Sequence, residues 1–378
     1  MRIAVNTRLL LKDKLEGIGW FSYESLKRIV HAHPEHEFIF IFDRPYSDDF
    51  IFAANVTPVV VRPPARHPFL WWIWLEISLP RVLKKYKADV FVSPDGFLSL
   101  RSDVPAVPVI HDLNFEHYPQ QLPRLVRWFY RKYFPKYARK ACRIGTVSEY
   151  SRQDIAKTYE IDPETIDVYY NGINALYQPS SEGKKQSVRK DISGRQPYFV
   201  FVGALNPRKN VPGLLKAFEH FREQTRHDHK LVVVGDAMHK TSALKNQLNS
   251  MRHNKDVIFT GRLPAQELSG VLGAAEAMVF VPYFEGFGIP VVEAMAAGVP
   301  LVCSKSASLP EVAGEAAILV DPDNHTEIAE AMQKIVEDTD LRQRLINKGH
   351  KQKMKFSWDK TAERFWNTIE TCLYAGKQ

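Results

Sequence analysis

Short apolar runs rich in β-branched and aromatic residues alternate with amphipathic stretches along the whole chain, and the alternation occurs in two series. The first places strands at 3–6, 38–42, 57–61, 89–92, 107–111, 142–147 and 167–170, with helical patterns such as 20–31 and 73–86 between them. The second places strands at 198–203, 231–235, 257–261, 277–282, 301–304 and 318–320. Strands that read as unbroken apolar runs are buried on both faces, and with helical crossovers between them they build parallel sheets. The turn dipeptide Asn171-Gly172 and the polar stretch 178–195 separate the two series. The expected fold is therefore α/β: two Rossmann-like, doubly wound parallel-sheet domains facing a cleft, over residues 1–172 and 198–357, with a linker at 173–197. A last helix over 358–375 carries Phe365, Trp366, Ile369 and Leu373 at helical spacing and is able to pack on the first domain or on the second.

A length of 378 residues suits two hydrophobic cores rather than one. Hydrophobic residues at 45% and charged residues at 25% exclude a disordered or fibrous chain. No apolar run reaches the roughly 18 residues that cross a bilayer, and Met1–Asn6 reads as a strand, not as a secretory leader. Cys142, Cys303 and Cys372 are scattered and odd in number, so no disulfide framework or CxxC zinc site is expected, and the chain reads as cytoplasmic and reduced. The net charge of +8 comes with no nucleic-acid recognition motif, so no nucleic-acid partner is expected.

In open parallel sheets, ligands lie beyond the carboxyl ends of the strands, so the chemistry is sought in the loops there. The strongest such segment runs from Phe280 to Gly298. Its strand ends at Pro282, Glu285-Gly286-Phe287-Gly288 forms the loop, and Ile289-Pro290 opens a helix with Pro290 at its first position. Gly286 and Gly288 let a ligand approach the backbone, and the helix start offers unpaired N–H groups and a positive dipole end. That suits a diphosphate or sugar hydroxyls. Glu285 and Glu293, eight positions apart, flank one ligand with two carboxylates; an ordinary turn with two solvated glutamates has the same spacing. Arg208 and Lys209 follow the 198–203 strand, and a planar fork beside a point charge suits a diphosphate leaving group. The alternative for that pair is a solvated basic turn. Gly17 and Gly19 are a lone GxG without the third glycine or acidic partner of a dinucleotide fingerprint. His111-Asp112 and Gly261-Arg262-Leu263 also follow strands.

Taken in order, these segments resemble the EGFG-to-glutamate signature of retaining glycosyltransferases with the two-domain GT-B architecture, of the family 4 or glycosyl transferases group 1 type and mannosyltransferase-like. Gly17-Ile18-Gly19 is similar to their glycine-rich loop, and Val109-Ile110-His111-Asp112-Leu113 to their HD segment. Thr146–Ser151 and Tyr170-Asn171-Gly172-Ile173 match their closing segments of the first domain, and Phe201–Asn210 resembles their phosphate-contacting loop. Ser308–Gly314 continues the pattern, so the resemblance covers almost the whole chain. Ala204 stands where some relatives carry an arginine, which leaves fewer cations for the diphosphate.

The resemblance implies transfer of a hexose-type sugar, with retention, from a GDP- or UDP-linked donor to an acceptor hydroxyl in cell-surface polysaccharide or glycolipid synthesis. It places His111 and Glu285 at the reaction centre. It assigns Gly17, Gly19, Arg208, Lys209, Glu285, Gly286, Phe287, Gly288, Ile289, Glu293 and Arg262 to the donor. Within that set Glu293 takes the ribose hydroxyls, Arg208 and Lys209 the diphosphate, Glu285 and the Gly286–Gly288 backbone the sugar, and the 261–263 backbone lies near the nucleobase. Asp112 orients the imidazole or contacts the acceptor. No cofactor and no metal are expected, because cations and helix starts stabilise the leaving group. A sugar-nucleotide epimerase or phosphorylase of the same architecture, and a non-catalytic sugar-nucleotide-binding protein, stay open as alternatives.

Two further signals are set aside. Asp321-Pro322-Asp323 has the form of a metal-diphosphate motif but sits in a strand-to-helix turn, and His31, His33 and His36 read as a surface loop without fixed ligand geometry. The stretch Leu122–Arg143 holds eight arginines and lysines and no acidic residue, with Leu125, Phe129, Tyr133 and Tyr137 every four residues. A basic helix with aromatic residues either lies on an anionic membrane surface or packs its rings on the sheet. The expected partners are thus a nucleotide sugar, a saccharide or lipid-linked acceptor and an anionic membrane surface, with peripheral attachment at the inner face of the membrane.

Overall fold

In the computed structural model, which describes residues 1–236 and 242–374, every one of the expected strands forms, with ends displaced by at most a few residues. Position 375 of the last helix lies outside the described residues. The chain divides into two compact units: Met1–Gly172 together with the chain from Ser357 onward, and Ile173–Phe356.

The first unit is built on a parallel five-stranded sheet in the order β3-β2-β1-β4-β5. Its strands are β1 (Arg2–Asn6), β2 (Glu37–Phe42), β3 (Val56–Val60), β4 (Val90–Ser93) and β5 (Ala106–Pro108). The strand order reverses between β1 and β4, so the loops after these two neighbours splay apart and leave a crevice at their carboxyl ends. The expected sixth and seventh strands, β6 (Ile144–Thr146) and β7 (Ile166–Val168), pair with each other in a separate two-stranded sheet. One parallel bridge, Val109 to Gly145, joins them to the end of β5. A Cβ on Gly145 would lie 1.4 Å from the Tyr169 hydroxyl, so only glycine lets this strand pass.

The second unit has a parallel six-stranded sheet in the order β10-β9-β8-β11-β12-β13. These are β8 (Tyr198–Val202), β9 (Lys230–Val234), β10 (Val257–Gly261), β11 (Ala277–Phe280), β12 (Leu301–Ser304) and β13 (Ala317–Val320). Here the order reverses between β8 and β11. The apolar runs are explained by burial: β8, β11 and β12 are fully enclosed.

Three sequence expectations need correction. The segment 173–197 is not a free linker, because it contains the helix Glu182–Ser193, whose Arg189 donates to the Ala274 carbonyl at 2.8 Å and pairs with Glu276 at 3.2 Å. It reads as polar because it is held by an arginine anchor and not by an apolar stripe. Cys142 and Cys372 are joined in a disulfide, 230 residues apart in sequence, because the last helix docks beside β6. Lastly, Gly172 serves more than a turn: a Cβ there would lie 2.3 Å from the Trp358 amide nitrogen. The last helix, Trp358–Tyr374, packs on the helix Gly17–Ala32, with Phe365 5.6 Å from Phe21 and 5.1 Å from Tyr169 between ring centroids. It therefore belongs to the first unit.

Candidate active site

At the switch point of the second unit, the loops after β8 and β11 carry the residues singled out above, and they meet. The β8 loop turns through Pro207–Lys209, and Asn210 follows with φ +54°. The buried Asn210 amide donates to the carbonyls of Val281 (3.1 Å) and Pro322 (2.7 Å), tying this loop to the end of β11. Tyr283 N donates to Arg208 O at 2.9 Å. Arg208 Nη1 donates to Phe284 O at 2.6 Å and lies 2.9 Å from Glu285 Oε1, while Lys209 Nζ lies 2.5 Å from the same oxygen and 5.0 Å from the Phe280 ring centre. Burial raises the Glu285 carboxyl, but the Lys209 ammonium and the Arg208 guanidinium outweigh it and hold the group below the usual carboxylate range. Two cations around one carboxylate leave the cluster with a net positive charge.

The next segment fixes the helix that follows. Gly288 caps the helix Ile289–Ala297 with φ +95°, and a Cβ on it would lie 2.6 Å from Leu309 Cδ2. Ser308 Oγ donates to Glu285 O at 2.9 Å, which accounts for the Ser308-Leu309 segment in the pattern. The helix begins at Ile289, so Pro290 occupies its second position and not the expected first. The Phe287 ring is buried against Phe356 at 5.5 Å, so its backbone, not its side chain, belongs to the loop surface. Glu293 lies in this helix, where burial pushes its carboxyl up to about 8 against the hydrogen bond from Tyr177. The Tyr177 phenol is itself raised by burial and by the Glu293 charge, so it stays a donor.

Arg262 follows β10, at the edge of the sheet. Positive-φ glycines stand directly after β8 and β9, at Gly203 and Gly235, and at the last residue of β10, Gly261. Gly203 N donates to Val234 O and Gly235 N to Gly261 O, both at 2.9 Å. A Cβ on Gly235 would lie 1.9 Å from Gly203 O.

In the first unit, Gly17 and Gly19 open the helix Gly17–Ala32 instead of lying in a loop. A Cβ on Gly17 meets nothing within 4 Å, whereas one on Gly19 would press on Leu9 O at 3.1 Å. His111 lies three residues beyond β5 and donates from Nε2 to Pro94 O at 2.8 Å, a carbonyl in the loop after β4. Because a carbonyl only accepts, Nε2 carries the proton and Nδ1 is the free lone pair of the neutral ring. Burial keeps the imidazole below its ordinary pKa against the Pro94 contact and the Asp112 and Asp95 charges. Asp112 Oδ1 accepts from Asn114 N (2.9 Å) and Nδ2 (2.7 Å) and so caps the next turn. In the Asp321-Pro322-Asp323 turn the Asp321 carboxylate is held by neighbouring protein groups, with Asp323 N donating to Asp321 Oδ1 at 3.0 Å and Lys305 paired to Asp321.

Residues 24–175 match the Glycosyltransferase Family 4 domain, and residues 183–352 match Glycosyl transferases group 1. The chain belongs to the GT-B glycosyltransferases built from these two domains. This glycosyltransferase is 27% identical over 360 residues to O-antigen chain mannosyltransferase B of Escherichia coli, covering 92% of this chain and 94% of the relative. It is 27% identical over 309 residues to O-antigen chain mannosyltransferase RfbU of Salmonella typhimurium, covering 80% and 82%. Among solved structures, Anabaena Alr3699/HepE in complex with UDP and glucose superposes with a TM-score of 0.75 at 18% identity, over 98% of this chain and 99% of that one.

Sequence reasoning missed two parts of the glycosyltransferase's crevices. Tyr177, the donor to Glu293, lies in the segment read as a linker. Arg8 forms a buried ion pair with Asp95 at 2.8 Å, across the switch point between β1 and β4, and its guanidinium stacks over Phe97 at 4.3 Å. Asn6 Nδ2 donates to the same carboxylate at 2.7 Å. The only signal for Arg8 and Asp95 was their place after a strand, and Tyr177 carried none.

Proposed function

We propose that this glycosyltransferase moves a hexose, with retention, from a guanosine or uridine diphosphate donor to an acceptor hydroxyl without a metal ion at the reaction centre. The observation that carries the proposal is the convergence of Arg208 and Lys209 on Glu285 at the switch point of the second sheet. A diphosphate bound there would find both cations already positioned, so the charge developing on the leaving group needs no reorganisation. Glu293, uncharged near neutral pH and held by Tyr177, is suited to exchange hydrogen bonds with ribose hydroxyls. Glu285 and the Gly286–Gly288 backbone would hold the sugar. In the first unit the resemblance assigns Gly17, Gly19 and His111, whose neutral ring keeps Nδ1 available. No side chain is assigned as a nucleophile; front-face displacement, with the departing diphosphate helping to remove the acceptor proton, is consistent with retention. The names of the Escherichia coli and Salmonella typhimurium relatives favour mannose and a polysaccharide acceptor.

A lipid-linked acceptor would require the first unit to reach a membrane surface, and no helix among the described residues is long and apolar enough to cross one. The helix Arg124–Lys140 buries Phe129, Phe134 and Tyr137 on the core, yet leaves Leu125 57% and Trp128 53% exposed. Phe69, on the neighbouring helix Pro68–Ile73, is 64% exposed. Lys132 stacks on Trp128 at 4.5 Å, so cation and apolar ring share one surface. That mixture favours peripheral binding to anionic lipid.

The proposal is tested by following the anomeric carbon of a nucleotide-sugar panel by NMR. An α-linked product from an α-linked donor supports retaining transfer. Inversion contradicts the mechanism, isomerised nucleotide sugar identifies an epimerase, and binding without turnover identifies a non-catalytic protein.

A further inference from the structure

The turn between the helix Gly17–Ala32 and β2 carries His33, Glu35 and His36, and the two histidines were expected to lie in a surface loop without fixed ligand geometry. In the structure they converge. Glu35 Oε1 lies 3.3 Å from His33 Nδ1 and 3.3 Å from His36 Nε2. Ligand atoms of all three residues lie within 4.8 Å of one another. Such separations are long for charge-assisted hydrogen bonds, which run at about 2.7–2.9 Å. The two 3.3 Å separations match the edge of a tetrahedron whose centre-to-ligand bonds are about 2.0–2.2 Å, which is roughly 3.3–3.6 Å, and the two imidazole ligand atoms, within 4.8 Å of each other, close onto a shared ion by a small ring rotation.

The turn that presents these atoms is fixed by the rest of the unit. Asn55 Nδ2 donates to the carbonyls of Val30, His33 and His36, each at 3.2 Å. His36 N donates to His33 O at 3.2 Å. The His33 ring stacks on Trp366 of the last helix with centroids 3.6 Å apart, and the His36 ring tilts over the same indole at 5.1 Å. Two imidazoles are thus oriented by packing, while the Glu35 side chain, 59% exposed, leaves a route in from solvent.

We propose that His33, Glu35 and His36 form a three-ligand site for a transition-metal ion of the zinc class. Two imidazoles and one carboxylate suit Zn²⁺, Co²⁺, Ni²⁺ and Cu²⁺, whereas Mg²⁺ and Ca²⁺ favour all-oxygen sets. Water completes the coordination. None of the three residues belongs to the donor-binding set, so the ion's role is structural: it joins the end of the first helix and the start of β2 beside Trp366.

The test uses untagged, metal-stripped, full-length protein titrated with Co²⁺ and then Zn²⁺. The expected result is one equivalent of Co²⁺ with the visible absorption of tetrahedral coordination, displaced by Zn²⁺. Cu²⁺ should also quench tryptophan fluorescence, by a component that Trp366→Phe removes. His33→Ala and Glu35→Gln should both lose the stoichiometric step; Glu35→Gln, at an exposed side chain, should also keep the metal-free Tm of the parent, whereas His33→Ala gives up the stacking on Trp366 and lowers it. Failure of the parent to bind one equivalent, or binding unchanged in Glu35→Gln, overturns the proposal.

Discussion

Lys209 Nζ lies 2.5 Å from Glu285 Oε1, with each side chain only 11% exposed, and the pair links the loops that follow β8 and β11. Arg208 reaches the same oxygen. Glu285→Gln leaves two neighbouring cations buried without a counter-charge and should cost about 3–5 kcal/mol of stability at pH 7 in urea denaturation. Because the folded Glu285 pKa is depressed, this contribution is complete above the unfolded value of about 4.3 and vanishes as pH falls through the folded one. The gap between parent and variant should therefore close in acid. A gap that stays constant from pH 7 to pH 3 contradicts the ion-pair account.

Glu293 behaves in the opposite sense. With its carboxyl pushed up to about 8, the folded protein keeps a proton that the unfolded chain has released. Its contribution to stability therefore falls as pH rises from about 4.3 to about 8 and is level beyond. Glu293→Gln removes the charge and should stabilise the protein at pH 8.5 by up to about 5 kcal/mol, with little effect at pH 4. Tyr177→Phe, which removes the hydrogen bond favouring the charged form, should move the step to higher pH. Equal effects of Glu293→Gln at both pH values would refute the burial argument.

Gly17 and Gly235 separate function from fold. Gly17 has open space where a Cβ would sit and begins a helix, so Gly17→Ala should keep or raise stability by up to about 1 kcal/mol. If donor phosphates approach its backbone, transfer should nevertheless drop. In Gly235→Ala the new Cβ meets the Gly203 carbonyl, and destabilisation of about 3 kcal/mol or more is expected from thermal unfolding. Full activity of Gly17→Ala excludes Gly17 from the donor site.

For the membrane surface, the variant to make is charge reversal at Arg124, Arg127, Lys132 and Lys136. Arg131 is left out because it pairs with Glu116 at 3.0 Å, as Arg143 does with Asp167 at 2.6 Å, and Lys140 donates to the Leu100 and Ser102 carbonyls. Co-sedimentation with anionic vesicles should disappear in the variant and weaken with salt in the parent. Transfer to a soluble acceptor should persist. Parent protein that ignores anionic vesicles at low salt contradicts the surface assignment.

Parallel strands were legible because burial on both faces leaves unbroken apolar runs, as at 199–202 and 277–281. The residues of the cation–carboxylate cluster were legible one by one, since each follows a strand. Their mutual pairing was not, because it depends on β8 and β11 becoming neighbours. Contacts that depend on a single anchor stayed hidden: Arg189 on Ala274, Tyr177 on Glu293, and Cys372 on Cys142. The glycines misled in one direction. Gly172 reads as a turn residue, yet its missing side chain is what admits Trp358.

In the proposed mechanism the Arg208–Lys209–Glu285 cluster activates a nucleoside diphosphate leaving group. The most direct test is release of GDP or UDP from the matching hexose donor, measured in EDTA for the parent and for Lys209→Ala. The expected outcome is turnover by the parent in chelator and a loss of about 2–4 kcal/mol, roughly 30- to 1000-fold in kcat/KM, in the variant. Normal turnover by Lys209→Ala, or parent activity that is abolished by EDTA and restored by Mn²⁺, would contradict it.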